Sequence, residues 1–203
     1  MSRLILALVG VLAVAGVVGA HAPTPEPPRS RGLAGTLLVA TDSLRDPRFV
    51  RTVIYMVRHD PSGALGLVVN RPLGTTPLAR LLDNIGRSSE GVGGTIPLHY
   101  GGPVEPKRGF VLHTPEWTSE DSRVIQAGVA FTTDPAIFEA IARGAGPRRL
   151  LVALGYAGWS PGQLEGEIAG GAWITVTADE ALIFDEDAAS KWDRAMARRK
   201  ITL

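Results

Sequence analysis

Few residues of this chain have the types and spacing that catalysis requires. The 203 residues include no cysteine, which excludes a thiol nucleophile, a disulfide and a cysteine-ligated zinc. None of the four histidines, His21, His59, His99 and His113, has a partner at a metal-ligand spacing such as H-x-x-x-H. A G-x-S-x-G elbow, a phosphate-binding loop and a dinucleotide fingerprint are all missing from the sequence. The sequence therefore predicts no catalytic residue, no metal and no cofactor.

Two of the histidines are still candidates for chemistry. His113 lies at the end of a predicted strand, where functional side chains often gather, although a single histidine can equally be a hydrogen-bonded structural residue. His59 and Asp60 could form an acid/base pair. Asp60, however, begins an Asp-Pro-Ser-Gly segment with the chemistry of a type I turn. We favour the structural interpretation for both, with His59 as a surface neighbour of the turn.

A binding site is predicted from residues that turns and strands do not require. Asn70 and Arg71 follow a strand, and a guanidinium there suits a carboxylate, a phosphate or an internal ion pair. The amides of Gly101 and Gly102 could form an anion nest or a tight turn. Tyr156 could supply a flat apolar contact or end a strand. We expect these residues and His113 to converge on one shallow groove that receives an acidic group.

The elements that must position these residues are short strands and helices. Asn70-Arg71-Pro72 ends a strand because proline cannot continue a ladder, and Gly101-Gly102-Pro103 is a forced turn. Hairpins beside helices, without regular βαβ alternation, predict a single α+β domain with a mixed sheet and flanking helices. Strands are predicted over 35–40, 52–57, 65–69, 109–114, 123–126, 129–132, 150–154, 172–177 and 181–184. Helices are predicted over 77–85, 135–143 and 160–169 and after Asp187.

The N-terminus has a different character. Residues 4–20 are uncharged and mostly aliphatic after Arg3, and small residues follow. We predict a signal peptide or membrane anchor over 1–22, a proline-rich tether over 23–32 and a domain over 33–203. Cleavage after Ala20 would place the domain in the periplasm, whereas an uncleaved run would anchor it through residues 4–20. A mis-assigned start codon would instead make the protein cytoplasmic.

The net charge argues against nucleic acid as a direct partner. The chain has 21 Lys and Arg against 20 Asp and Glu. Nucleic-acid binders usually carry a basic excess, because neutralising phosphates supplies most of their affinity. The basic cluster at 198–200 fits the C-terminal end of a predicted helix, where it complements the helix dipole.

Four motifs occur in order along the folded part, at 46–53, at 59–73, at 101–104 with 108–113, and at 153–159 with 162–168 and 172–173. Together they resemble the AlgH/YqgE family of bacteria. The resemblance implies a largely antiparallel sheet that curls into a pseudo-barrel, and it implies neither an established enzyme activity nor catalytic residues. Typical members begin near the first strand and look cytosolic, so the N-terminal leader departs from the family pattern.

Three functional hypotheses follow. The first, which we prefer, is a non-enzymatic module that binds an unidentified protein or a small acidic ligand through Asn70, Arg71, Gly101, Gly102, His113 and Tyr156. The second is an indirect transcriptional regulator, since one member of the resembled family gave rise to a regulator label. The third is an enzyme of unknown class that uses His113 and Arg71.

Overall fold

A computed structural model describes residues 32–126 and 128–199 of the chain. The predicted leader over 1–22 and all but the last residue of the predicted tether lie outside the described residues. No helix among the described residues is long and apolar enough to cross a membrane.

The described residues form ten strands and five helices. The strands are β1 (Thr36–Ala40), β2 (Val53–Asp60), β3 (Gly63–Val68), β4 (Pro72–Pro77), β5 (Thr95–Tyr100), β6 (Val104–His113), β7 (Arg123–Val124), β8 (Ala130–Thr132), β9 (Leu150–Trp159) and β10 (Trp173–Thr177). The helices are α1 (Leu78–Asn84), α2 (Ala136–Ala142), α3 (Gln163–Ala169), α4 (Glu180–Phe184) and α5 (Ala188–Met196).

The strands form a mixed, largely antiparallel sheet. Its main path runs β10-β1-β2-β3-β9-β6-β8-β7, with every neighbouring pair antiparallel. The hairpin of β4 and β5 joins this path through a parallel pairing of β5 with β9, in register at Leu98 and Val152. The sheet also curls, since the Tyr55 hydroxyl of β2 donates a hydrogen bond to the Gln126 carbonyl beyond β7, at 3.0 Å. The predicted α+β domain with a curled sheet is confirmed.

The curl gives the protein three apolar clusters. The largest lies inside the half-barrel and joins buried side chains of β1, β2, β6 and β9 to α4 and α5, including Leu37, Leu112 and Trp192. A second cluster lies between the other face of β1–β3 and α3. A third packs α1 and α2 on β5, β6 and β9. Burial of these faces is the dominant force holding the sheet closed.

Three elements, α4, β4 and β5, differ from the sequence prediction. Residues 181–184 form helix α4 and not a strand, because the Asp179 carboxylate accepts the Leu182 amide at 2.7 Å and so begins a helix. β3 ends at Val68, before Asn70-Arg71-Pro72 as predicted, but Pro72 then begins β4, an exposed strand that was not predicted and that pairs with β5 alone. Proline is tolerated at the first residue of such an edge strand, where its missing N–H breaks no central ladder.

Candidate functional site

The segment between β1 and β2 is held by the residue pair that follows β3. The Asn70 side chain accepts the Val53 amide and donates to the Arg51 carbonyl, both at 2.9 Å. Arg51 has a φ of 52°, in the left-handed region that non-glycine residues rarely adopt. Both ends of the Asn70 amide are therefore engaged in fixing this strained corner, which gives Asn70 a positioning role.

Arg71 lies beside Asn70 on the surface. Its Nη2 donates to the Val50 carbonyl at 2.8 Å, and its guanidinium lines a depression of about 600 Å³ with Arg48, Tyr100 and Leu73. Arg71 is partly exposed, and none of the ion pairs among the described residues includes it. The internal ion pair that the sequence left open for Arg71 is therefore not formed there.

An anion nest and a tight turn were the alternatives predicted for Gly101 and Gly102, and the Gly101 amide is not free for a nest. The Gly101 amide donates to the Leu154 carbonyl at 2.8 Å, and its carbonyl accepts the Val68 amide at 2.9 Å. Gly102 has a φ of 153°, and a Cβ atom there would overlap the backbone of Tyr156. The two glycines form neither a nest nor a tight turn. Their backbone passes directly against β9, and glycine is needed there because a side chain would not fit.

His113 is enclosed by the domain. Its Nδ1 lies 2.9 Å from the Thr114 carbonyl, so that nitrogen carries the proton, and its ring meets the edge of Trp117 at 5.5 Å between centroids. Burial lowers the pKa of His113, although the Thr114 hydrogen bond opposes the shift. With no exposed surface, His113 cannot meet a substrate together with Arg71 in this arrangement.

Tyr156 lies apart from Arg71. Its ring packs edge-on against Phe110 at 5.5 Å between centroids, and it lines a separate depression of about 400 Å³ with Arg58 and Val104. The six residues predicted from the sequence therefore do not share one groove. Asn70 and Arg71 meet at one depression, Tyr156 lines another, and His113 is buried.

His59 is more than a surface neighbour of the turn. Its Nδ1 accepts the Leu33 amide at 3.0 Å, and its Nε2 contacts Glu165 at 2.9 Å. Asp60 does form the predicted turn, since it accepts the Ser62 amide at 2.8 Å. His59 thus ties the start of the domain to α3, an association between distant segments that local turn chemistry does not predict.

An aromatic pocket of about 390 Å³, none of whose residues was among the six predicted site residues, lies between the 44–49 segment and α3. Trp159 and Trp173 both direct their indole N–H groups to Oε2 of Glu167, at 2.9 and 2.8 Å. Phe49 packs edge-on against Trp173 at 5.7 Å between centroids. Gln163 donates to Oε1 of Glu167 at 2.9 Å. The spacing of Gln163 and Glu167, four residues apart on one helical face, was the available signal.

A fully buried lysine that was not among the predicted site residues lies in α5. Lys191 of α5 donates from Nζ to the Val69 and Ile183 carbonyls, both at 2.8 Å. Burial lowers the pKa of Lys191 to about 8. Burial and, secondarily, the charge of Lys191 lower the pKa of His99 to about 4. Lys191 fastens α5 to the end of β3, next to Asn70.

The sequence of this domain is similar to those of known proteins. A family model described as AlgH-like matches residues 37–203. A protein of Afipia carboxidovorans is 43% identical over 190 residues, covering 88% of this chain and 90% of its own, and one of Caulobacter vibrioides is 46% identical over 172 residues, covering 84% and 88%. Both carry the designation UPF0301 protein.

Two solved structures share the fold. The AlgH protein of Pseudomonas aeruginosa is 36% identical, with a TM-score of 0.72 over 88% of this chain and 93% of that one. A Corynebacterium diphtheriae protein, 21% identical, has a TM-score of 0.65 over 86% and 91%, which shows the fold alone.

Proposed function

We infer that this chain, which belongs to the AlgH-like family, acts as a non-enzymatic module that binds an acidic group of a ligand or partner protein. The observation that carries this inference is the Arg71 guanidinium, which is partly exposed and is held at the surface by the Val50 carbonyl. A held guanidinium loses little further freedom on binding, and its planar fork matches the two oxygens of a carboxylate.

Apolar surface surrounds this guanidinium. Leu73 is 59% exposed and Val50 is 46% exposed, although both are large and hydrophobic. Tyr100 lines the same depression. Binding hot spots commonly combine arginine and tyrosine with apolar contacts that exclude water. The favoured ligand is therefore a carboxylate beside an apolar group, as in an acidic peptide segment.

Arg48, which lines the same depression, adds little free charge. Its Nε and Nη2 bind Asp46 at 3.0 and 2.7 Å, so the pair is neutral overall. The net positive charge of the depression thus comes from Arg71. This makes Arg71 the residue whose removal affects binding most.

Transcription would be affected only through such a partner. Most arginines in the described part of the chain are paired with carboxylates, which leaves little basic surface for phosphates. These paired arginines are Arg48, Arg51, Arg58, Arg87, Arg108, Arg143, Arg148, Arg149, Arg194 and Arg198.

Titration of the ¹⁵N-labelled domain with N-acetyl-leucyl-glutamate tests the proposal. We expect resonance shifts at Arg71, Leu73 and Tyr100, with a dissociation constant of roughly millimolar size for so small a probe. Arg71→Ala should abolish the shifts and leave the rest of the spectrum unchanged. Arg80→Ala, an exposed arginine on α1, is the matched control and should bind as the wild type does.

The uncharged analogue N-acetyl-leucyl-glutamine separates charge recognition from apolar contact. Equal shifts with both probes, or full retention of binding in Arg71→Ala, would overturn the role of Arg71. Shifts that appear at Tyr156 instead would move the site to the other depression.

A further inference from the structure

We propose that the pocket formed by Phe49, Trp159, Trp173 and Glu167 binds an organic cation, an alkylammonium or guanidinium group. This pocket has the opposite charge preference to the Arg71 depression, and the inference does not depend on the function proposed there.

The first argument is the charge left on Glu167. Its three hydrogen-bond donors are the indole groups of Trp159 and Trp173 and the Gln163 side-chain amide, all of them neutral. In the described part of the chain, no lysine, arginine or histidine forms an ion pair with it. A carboxylate has about four acceptor positions, of which Oε2 uses two and Oε1 one. One position on Oε1 and one unit of negative charge therefore remain for a ligand.

The second argument is the nature of the walls. Phe49 meets Trp173 at an interplanar angle of 72°, and Trp159 meets Trp173 at 82°. Aromatic rings around a carboxylate resemble the cages that bind ammonium groups, since a ring face attracts a cation. Phe49 is the most exposed of the three rings, because Trp159 is 7% and Trp173 2% exposed. The Arg48 guanidinium already lies 5.8 Å from the Phe49 centroid, on the rim of the pocket.

The third argument is size. A volume of about 390 Å³ accepts a side chain or a small amine but not a folded segment. Pro103 and Val104 complete an apolar wall that would contact the alkyl stem of such a ligand. Arg48 does not fill the place of the cation, because Asp46 holds it by two hydrogen bonds.

Glu167 also has a structural role, since it joins α3 to β9 and β10 through the two indoles. The substitution Glu167→Gln separates the two roles. It keeps an oxygen that accepts the indole N–H groups and removes the charge. Glu165→Gln removes a charge from the other side of α3, outside the pocket lining, keeps an oxygen that can contact His59, and is the matched control.

The experiment follows the four indole N–H resonances in ¹⁵N–¹H spectra during titration with n-butylammonium and with 1-butanol at constant ionic strength. We expect the signals of Trp159 and Trp173 to shift with butylammonium, with a roughly millimolar dissociation constant. Trp117 and Trp192, outside the pocket lining, are internal references. Glu167→Gln should weaken binding at least about tenfold, and Glu165→Gln should not.

Equal shifts with 1-butanol would show an apolar pocket without charge selectivity, and no shift would leave Glu167 purely structural; either result overturns the proposal. If Glu167→Gln fails to fold, Phe49→Leu serves instead and should weaken butylammonium binding several-fold. An acetyl-Gly-Lys-Gly-amide peptide distinguishes the sources of the cation. Tighter binding than butylammonium indicates a peptide lysine, and weaker binding indicates a free amine.

Discussion

At the scale of single residues, two titratable groups that are shielded from water, Lys191 and His99, lie near residues of the Arg71 depression. Lys191 reaches the Val69 carbonyl just before Asn70, and His99 lies one residue before Tyr100. Charge on either group is disfavoured because water is excluded around it, which explains the lowered pKa values of about 8 and about 4. Lys191 is buried in α5 beside Trp192, but its two carbonyl partners come from other segments of the chain and no local sequence pattern reveals them.

The lowered pKa of His99 predicts a loss of stability in mild acid. Its pKa is about 4 in the folded chain and 6.5 in the unfolded chain. The unfolded state therefore binds more protons between these values, so the free energy of unfolding falls as the pH is lowered through this window. His113, whose pKa burial also lowers, adds to the loss with the same sign.

We expect urea unfolding to show a loss on the order of 2 kcal/mol between about pH 7 and about pH 5, where carboxylates remain ionised. His99→Gln should reduce this pH dependence. An unchanged slope in that variant would mean that His99 is protonated without cost in the folded state.

At the scale of elements, the helices and strands that could be predicted are those defined by a local sequence pattern, such as a turn or a helix cap. The β2–β3 hairpin follows from Asp60 and its turn, and α5 follows from Asp187, which accepts the Ser190 amide. The hairpin of β4 and β5 was not predicted from the sequence, because β4 is exposed and lacks an alternation of apolar residues. The passage of Gly102 against β9 depends on long-range pairing, so the motifs were identified correctly while their arrangement into one groove was not.

Helix α4, which the sequence interpreted as a strand, provides a prediction about capping. Asp179→Ala removes the acceptor for the Leu182 amide and should lower the free energy of unfolding by about 1 kcal/mol. Asp179→Asn is the matched control, because it keeps a capping oxygen and loses the charge that pairs with Arg198. Chemical denaturation should show Asn within a few tenths of a kcal/mol of wild type. If Asn and Ala lose the same stability, the ion pair and not the cap is the important contact.

At the scale of the whole molecule, the curled sheet brings separate chain segments to one surface. The 44–49 segment lies between the Arg71 depression and the Glu167 pocket, and Arg48 lines both. Asn70 binds Arg51 and Val53 just after this segment, and Phe49 at its end packs on Trp173 of β10. The two proposed sites thus share Arg48, and ligands or partners that carry both charges would suit them.

The start of the folded domain gives a prediction for the whole chain. The described residues begin at Gly32, and Leu33 is the first residue with a described hydrogen bond, from its amide to His59 at 3.0 Å. A chain beginning at Arg31 should therefore melt within about 5 °C of one beginning at His21, since about 1 kcal/mol corresponds to roughly 2–4 °C in a domain of this size.

A chain beginning at Thr36 also loses Leu33, whose carbonyl accepts the Thr36 hydroxyl at 2.7 Å and whose side chain packs on the second cluster. It should melt clearly lower, by roughly 5–10 °C. A calorimetric drop of that size already at Arg31 would show that the proline-rich segment docks on the domain and contributes to its stability.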